Sequence, residues 1–304
     1  MRSFTLSFLS SAAFVTAGNV IYEGRIPLNY TPAQLDASAP PFTTVVKGSG
    51  NASHYSHLLG PKYHSTPLWG SYPEQSIAIL IRNSSVFVPG GNVTNSQFGF
   101  RRTELIAQSQ NRSAFEVGTT VFHVSILADH KHKLNYKHEY QIVFVEPKDG
   151  THVFAINLGT PFKIPSTTKP DPSAHHFKVL DHAGNIIFTT PMRKSHWHNF
   201  AIQVEWDAKT LAVFFSHNSE VLEPVTCLVD NDSTSSGAAG QGDFHWGVLK
   251  LPLADPRDTP AQQSNVPHHG IQEGTTEGLV FSGVFIEDVV GGVSTSHNTT
   301  APAV

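Results

Sequence analysis

Residues 136–147 read YKHEYQIVFVEP. Side chains alternate between faces along a strand, so Tyr140, Ile142 and Phe144 share one apolar face and Glu139 and Gln141 the other. The same count puts Glu146 on the Tyr140 face, at the strand end before Pro147. A strand that is apolar on one side and carries Glu and then Gln on the other packs on a core and turns its polar side to water or a groove.

The rest of the chain repeats this grammar. Short β-rich runs recur between clusters of Gly, Pro, Asn and Ser: SIAILIR, TVFHVSIL, THVFAIN, NIIFTT, FAIQVEW, LAVFFSH, WGVLKL and GLVFSGVFIED. No heptads and no amphipathic helix of ordinary length interrupt them. Many short strands at fairly regular spacing predict an all-β sandwich or barrel. The breaker-rich connections leave no room for the helices of an α/β fold. The 304 residues suffice for one large β domain with a sizeable core.

Net charge is -4 and only 14% of residues are charged, with no basic patch, which argues against a nucleic-acid partner. The first residues, MRSFTLSFLSSAAFVTAG, have a positive start, an apolar run too short to span a bilayer and small residues at Val15 and Ala17. They predict a signal peptide over 1–17, a mature domain over 18–290 and secretion to the extracellular space, with no membrane association. Residues 291–304 are rich in Gly, Ser and Thr and are expected to form a disordered tail. Asn-x-Ser/Thr sequons stand at Asn29, Asn51, Asn83, Asn92, Asn111, Asn231 and Asn298, so N-glycans are expected, each at the surface. Cys227 is the single cysteine and can form no internal disulfide. The 18 histidines show no metal-ligand spacing, and neither a metal nor a cofactor is expected. The chain is expected to be a monomer.

Residues 98–107, FGFRRTELIA, put Arg102 and Glu104 on one face and Arg101, Thr103, Leu105 and Ala107 on the other. A guanidinium beside a carboxylate keeps it ionised. That suits a catalytic base, an orienting group or a plain salt bridge on a solvated face. Glu104 and Glu139 could face each other across one sheet, as glycoside hydrolysis requires. In HWHNFAIQVEWD, 196–207, Trp197 falls on the polar face and could stack on a sugar ring. His198 falls on the apolar face, where a structural role and a site role are equally open.

Taken together, VIYEGRIPLN, FGFRRTEL, HEYQIVF, WHNFAIQVEWDAKTLAVFFS, FHWGVLKLP and GIQEGTTEGLVFSGVFIED resemble glycoside hydrolase family 131, a fungal secreted family, over almost the whole mature chain. The resemblance implies a β-jelly-roll sandwich of two antiparallel sheets with a concave glycan-binding cleft. It implies an inverting β-glucanase tolerant of β-1,3, β-1,6 and β-1,4 linkages. The family's two acidic residues map onto Glu104 and Glu139, with carboxyl groups roughly 6.5–9.5 Å apart. Arg102 favours Glu104 as the base and Glu139 as the acid. Arg101, Arg102, Gln141, Trp197 and His198 are the expected substrate-binding residues. The chain departs from the family pattern at IPLNYTPAQLD and in a shorter loop between the two glutamates. Two other readings remain open: a polysaccharide lyase on the same fold, and a non-catalytic glycan-binding module.

Overall fold

The computed structural model describes residues 18–301 apart from 110, 168, 235–241, 290 and 298. The expected signal peptide therefore lies outside the described residues. No described helix is long and apolar enough to cross a membrane.

The alternating runs become the strands of two antiparallel sheets. One sheet has seven described strands, ordered Ile186–Pro191, His176–Asp181, Phe154–Gly159, Glu139–Glu146, Asp243–Lys250, Arg101–Ala107 and Phe42–Thr43. The other has nine, running from Glu223–Pro224 through Thr210–His217, His198–Glu205, Thr119–Ala128, Glu277–Asp288 and Ile77–Ile81 to Ser56–Leu58. Asn19–Glu23 and Val229–Asp230 add to its flanks. In each sheet a late strand inserts between two early ones. Asp243–Lys250 separates the Glu104 strand from the Glu139 strand, and Glu277–Asp288 separates Ile77–Ile81 from Thr119–Ala128. These long-range insertions give the β-jelly-roll sandwich expected from the sequence.

The core lies between the sheets. Phe42, Phe122, Tyr140, Phe154, Phe177, Phe200, Trp246 and Phe281 are fully buried there, each ring contributing about 1.5–3 kcal/mol by burial. Leu105 and Ala107 project into this core and Arg102 and Glu104 project out of it, as alternation requires.

The Glu139 strand departs from simple alternation. Val143 pairs with Ile156 and Trp246, whereas Gln141 pairs with Asn157 and Leu249, so the register slips at Ile142. A bulge inserts one residue and reverses the phase beyond it. Tyr140, Ile142, Val143 and Val145 all face the core. Phe144 moves to the outer face, stacked on His152 at 4.2 Å and on His245 at 4.8 Å. Glu146 follows it, so the expected placement of Phe144 and Glu146 beside Tyr140 is corrected.

The tail also differs from expectation. Val293–Ser296 pairs with Thr299–Ala301. Val293 is fully buried beside Leu222 and Phe285, and the Ser294 hydroxyl donates to Glu287. Apolar burial and a carboxylate partner order residues whose composition reads as disordered.

Candidate active site

The outer face of the seven-stranded sheet carries a cross-strand row that is polar except at Leu249. Lys178 pairs with Asn157, Asn157 with Gln141, Gln141 with Leu249, and Leu249 with Arg102. Glu104 lies one same-face step to one side of this row and Glu139 one step to the other. Their strands are two inter-strand spacings apart, about 10 Å across the sheet, and the two residues are offset by four positions, about 13 Å, along it.

Glu104 is enclosed. Arg102 Nε donates to Oε1 at 2.6 Å and Arg102 Nη2 to Oε2 at 2.8 Å. His245 Nδ1 lies 2.8 Å from Oε2, and the carboxylate is 0% exposed. Burial pushes its pKa up, but the Arg102 charge and the hydrogen bonds from His245 and Arg102 outweigh burial and hold it at about 2. An anionic Glu104 makes His245 Nδ1 the donor, and His245 Nε2 then faces the half-exposed Glu146 at 4.0 Å. Directly across the pair, Gly247 opposes Glu104. A Cβ there would come within 2.3 Å of the Thr103 carbonyl oxygen, so glycine lets the two strands close at this point.

Glu139 has the opposite environment. Asn157 Nδ2 donates to its Oε1 at 2.8 Å and the Phe162 backbone N–H to its Oε2 at 2.7 Å. Burial raises its pKa, and those two bonds and the Lys178 charge offset the rise only in part. Lys178 is itself held in place by the carbonyls of Gly159 and Ser173, both at 2.9 Å. One sheet face thus holds a carboxylate kept charged and a carboxyl group biased towards its protonated form.

Of the residues expected in the site, Glu104, Glu139, Arg102 and Gln141 come together on this face. Arg101, Trp197 and His198 do not. Arg101 points to the other side of its strand and caps the carbonyls of Phe98 and Phe100 at 2.9 and 2.8 Å. Trp197 belongs to the other sheet and is buried on that sheet's outer side against Ala78, Leu80 and Val280. His198 is fully buried next to Phe177 and Phe215, and its Nε2 accepts from the Arg193 N–H at 3.0 Å. Burial lowers its pKa to about 4. Alternation gave the correct face of the 198–205 strand but carried no information on which layer it joins. Among the described residues, no group of three or more His, Cys, Asp or Glu side chains could hold a metal ion.

Residues 20–292 match the family model of the glycoside hydrolase 131 catalytic N-terminal domain. The chain belongs to glycoside hydrolase family 131. It is therefore a glycoside hydrolase. Its fold matches a family-131 β-glucanase catalytic domain from Podospora anserina, with a TM-score of 0.70 and 24% identity over 93% of this chain and 100% of that one. It also matches the catalytic domain of the family-131 protein from Coprinopsis cinerea, with a TM-score of 0.67 and 23% identity over 92% and 98%. No curated protein matches the chain in sequence.

Sequence reasoning missed several polar groups of this family-131 face. His245 was readable from FHWGVLKLP, where alternation sets His245 and Gly247 opposite Trp246 and Val248. Asn157 and the Phe162 N–H carry no such signal. They become partners of Glu139 only through strand pairing and the turn after Gly159.

Proposed function

We propose that this family-131 hydrolase is a secreted β-glucanase that cleaves β-1,3, β-1,6 and β-1,4 linkages with inversion of configuration. The observation that carries the reading is the divergence of two carboxyl groups on one sheet face: Arg102 and His245 keep Glu104 anionic, and burial biases Glu139 towards its acid form. Two carboxyl groups whose environments push their pKa values apart mark an acid and a base.

In the proposed reaction the glucan lies in a concave cleft over this face, between Glu104 and Glu139. Glu139 protonates the glycosidic oxygen as the bond to C1 breaks. Water attacks C1 from the opposite side and gives its proton to the Glu104–His245 pair. The products are a new non-reducing end and a reducing end of inverted configuration. Arg102 and Gln141 border the sugar path. Secretion fits the apolar N-terminal run and the exposed sequons at Asn29, Asn51, Asn83, Asn92 and Asn111. The chain is proposed to act as a monomer.

The test is reducing-sugar release from laminarin, mixed-linkage barley glucan and carboxymethyl cellulose. The anomer is followed by proton NMR, and ultraviolet absorbance is read on a polyuronate in parallel. Sugar release with an inverted anomer, lost in Glu139→Gln, is the expected result. Unsaturated products without glucan hydrolysis would identify a lyase, and silence in both channels a glycan-binding module.

A further inference from the structure

Beside Glu139, on the side away from Glu104, the outer face holds a hollow of about 120 Å3. Its lining includes Asn157, Lys178, Leu180, Pro161 and Ile186. Asn157 is 6% exposed. Its Nδ2 is committed to Glu139, yet its Oδ1 is buried without a hydrogen-bond partner among the described residues. Buried polar atoms are nearly always satisfied, so an orphaned acceptor beside a hollow calls for a missing donor. Lys178 places two of its three protons on carbonyls and retains a third. Ile186 is 54% exposed, an apolar side chain held open to solvent at the rim. A recess with an apolar floor and a few converging polar groups has the composition of a small-molecule site, and an unpaired acceptor, a donor and an apolar rim match the hydroxyls and the C–H face of a pyranose.

We infer that this hollow binds the pyranose on the leaving-group side of the scissile bond, and that Asn157 Oδ1 accepts a hydroxyl proton from that sugar. The inference rests on the hydrolase reading above, in which Glu139 protonates the leaving oxygen. It adds the subsite next to that acid and gives Asn157 two roles. Nδ2 positions Glu139, and Oδ1 selects the sugar that departs.

The test compares two substrates that share a glycosyl part and pairs Asn157→Ala with a variant at the rim of the hollow, which separates the roles. A gluco-oligosaccharide leaves a sugar in the hollow, whereas the matching glycosyl fluoride leaves only fluoride. Asn157→Ala is expected to lower kcat/KM for the oligosaccharide about tenfold more than for the fluoride, the loss of roughly one hydrogen bond. Ile186→Ala, which does not touch Glu139, is expected to raise KM for the oligosaccharide several-fold and to leave the fluoride rate within twofold. Melting curves check that both variants fold. No effect of Ile186→Ala on the oligosaccharide would overturn the subsite and leave Asn157 a positioning residue for Glu139, because a weakened acid alone also spares the fluoride. A wild type that hydrolyses neither substrate would instead overturn the β-glucanase reading, and the subsite with it.

Discussion

The guanidinium of Arg102 grips both oxygens of Glu104, donating through Nε to one and through Nη2 to the other. Both groups are buried on one sheet face, two residues apart on one strand, where alternation makes them neighbours. A buried pair of this kind adds little net stability, but removing one partner leaves an uncompensated charge. Arg102→Met should therefore destabilise the fold by about 3–5 kcal/mol at neutral pH. Its pH dependence has a defined sign. In the wild type, the folded pKa of Glu104, about 2, lies below its ordinary value of 4.5. The stabilisation is present above about pH 4.5 and is lost as pH falls towards 2. In Arg102→Met the buried carboxyl group is tolerated once protonated. Urea unfolding at several pH values should show the two proteins converging below pH 4.5, and a constant difference down to pH 3 would refute this account.

Glu139 carries the proton in the proposed chemistry. A positioned general acid contributes about 10²–10⁴-fold, so Glu139→Gln should lose that much kcat on glucan and keep its fold. Oligoglucosides with good leaving groups need less protonation and should lose much less. Equal losses on activated and natural substrates would remove Glu139 from the acid role.

These two glutamates were legible because each sits in a stretch whose alternation survives folding. Arg102 and Glu104 stay in phase along 101–107, and Glu139 and Gln141 lie ahead of the bulge at Ile142. Beyond the bulge the phase reverses, and one unpaired residue moved Phe144 and Glu146 to the outer face. The outward position of Trp197 on its own sheet was also legible. It fails as a sugar platform because its strand joins the other layer, where Ala78, Leu80 and Val280 cover the ring. Layer membership depends on strand pairings between residues far apart in sequence, such as Glu104 with Gly247, and no local pattern encodes them. The hairpin of 293–301 was missed for a related reason: its anchor, Glu287, lies in the preceding strand.

Asn157 stabilises the charged form of Glu139 through the Nδ2 bond, and its loss should raise a pKa that burial already raises. Activity that depends on protonated Glu139 declines as pH rises through that pKa. Asn157→Ala should therefore shift the alkaline limb of the kcat/KM profile to higher pH even as the rate falls. Removing the Lys178 charge by Lys178→Met should shift it the same way. A limb that stays fixed, or moves to lower pH, in both variants would assign it to another group.

Asn231 tests the glycosylation expectation one site at a time. Asn29, Asn51, Asn83, Asn92 and Asn111 are exposed, but Asn231 is 3% exposed. Its Nδ2 donates to the Val153 carbonyl at 2.9 Å and its Oδ1 accepts from the His182 N–H at 2.8 Å. A glycan on Nδ2 would replace one of its two hydrogens and force a sugar into the closed space between the turn after Asp181 and the 153 backbone. Protein expressed through a eukaryotic secretory route should therefore carry no glycan at Asn231, whatever the occupancy of the five exposed sites, as read by peptide mass mapping after enzymatic deglycosylation. Asn231→Ala should destabilise the fold by about 1–3 kcal/mol, because it leaves one buried and one part-buried backbone group without their Asn231 partner. Thr94→Ala, two residues after Asn92, removes an exposed sequon and should cost far less. A folded, active protein with a glycan on Asn231 would contradict the buried placement of that side chain.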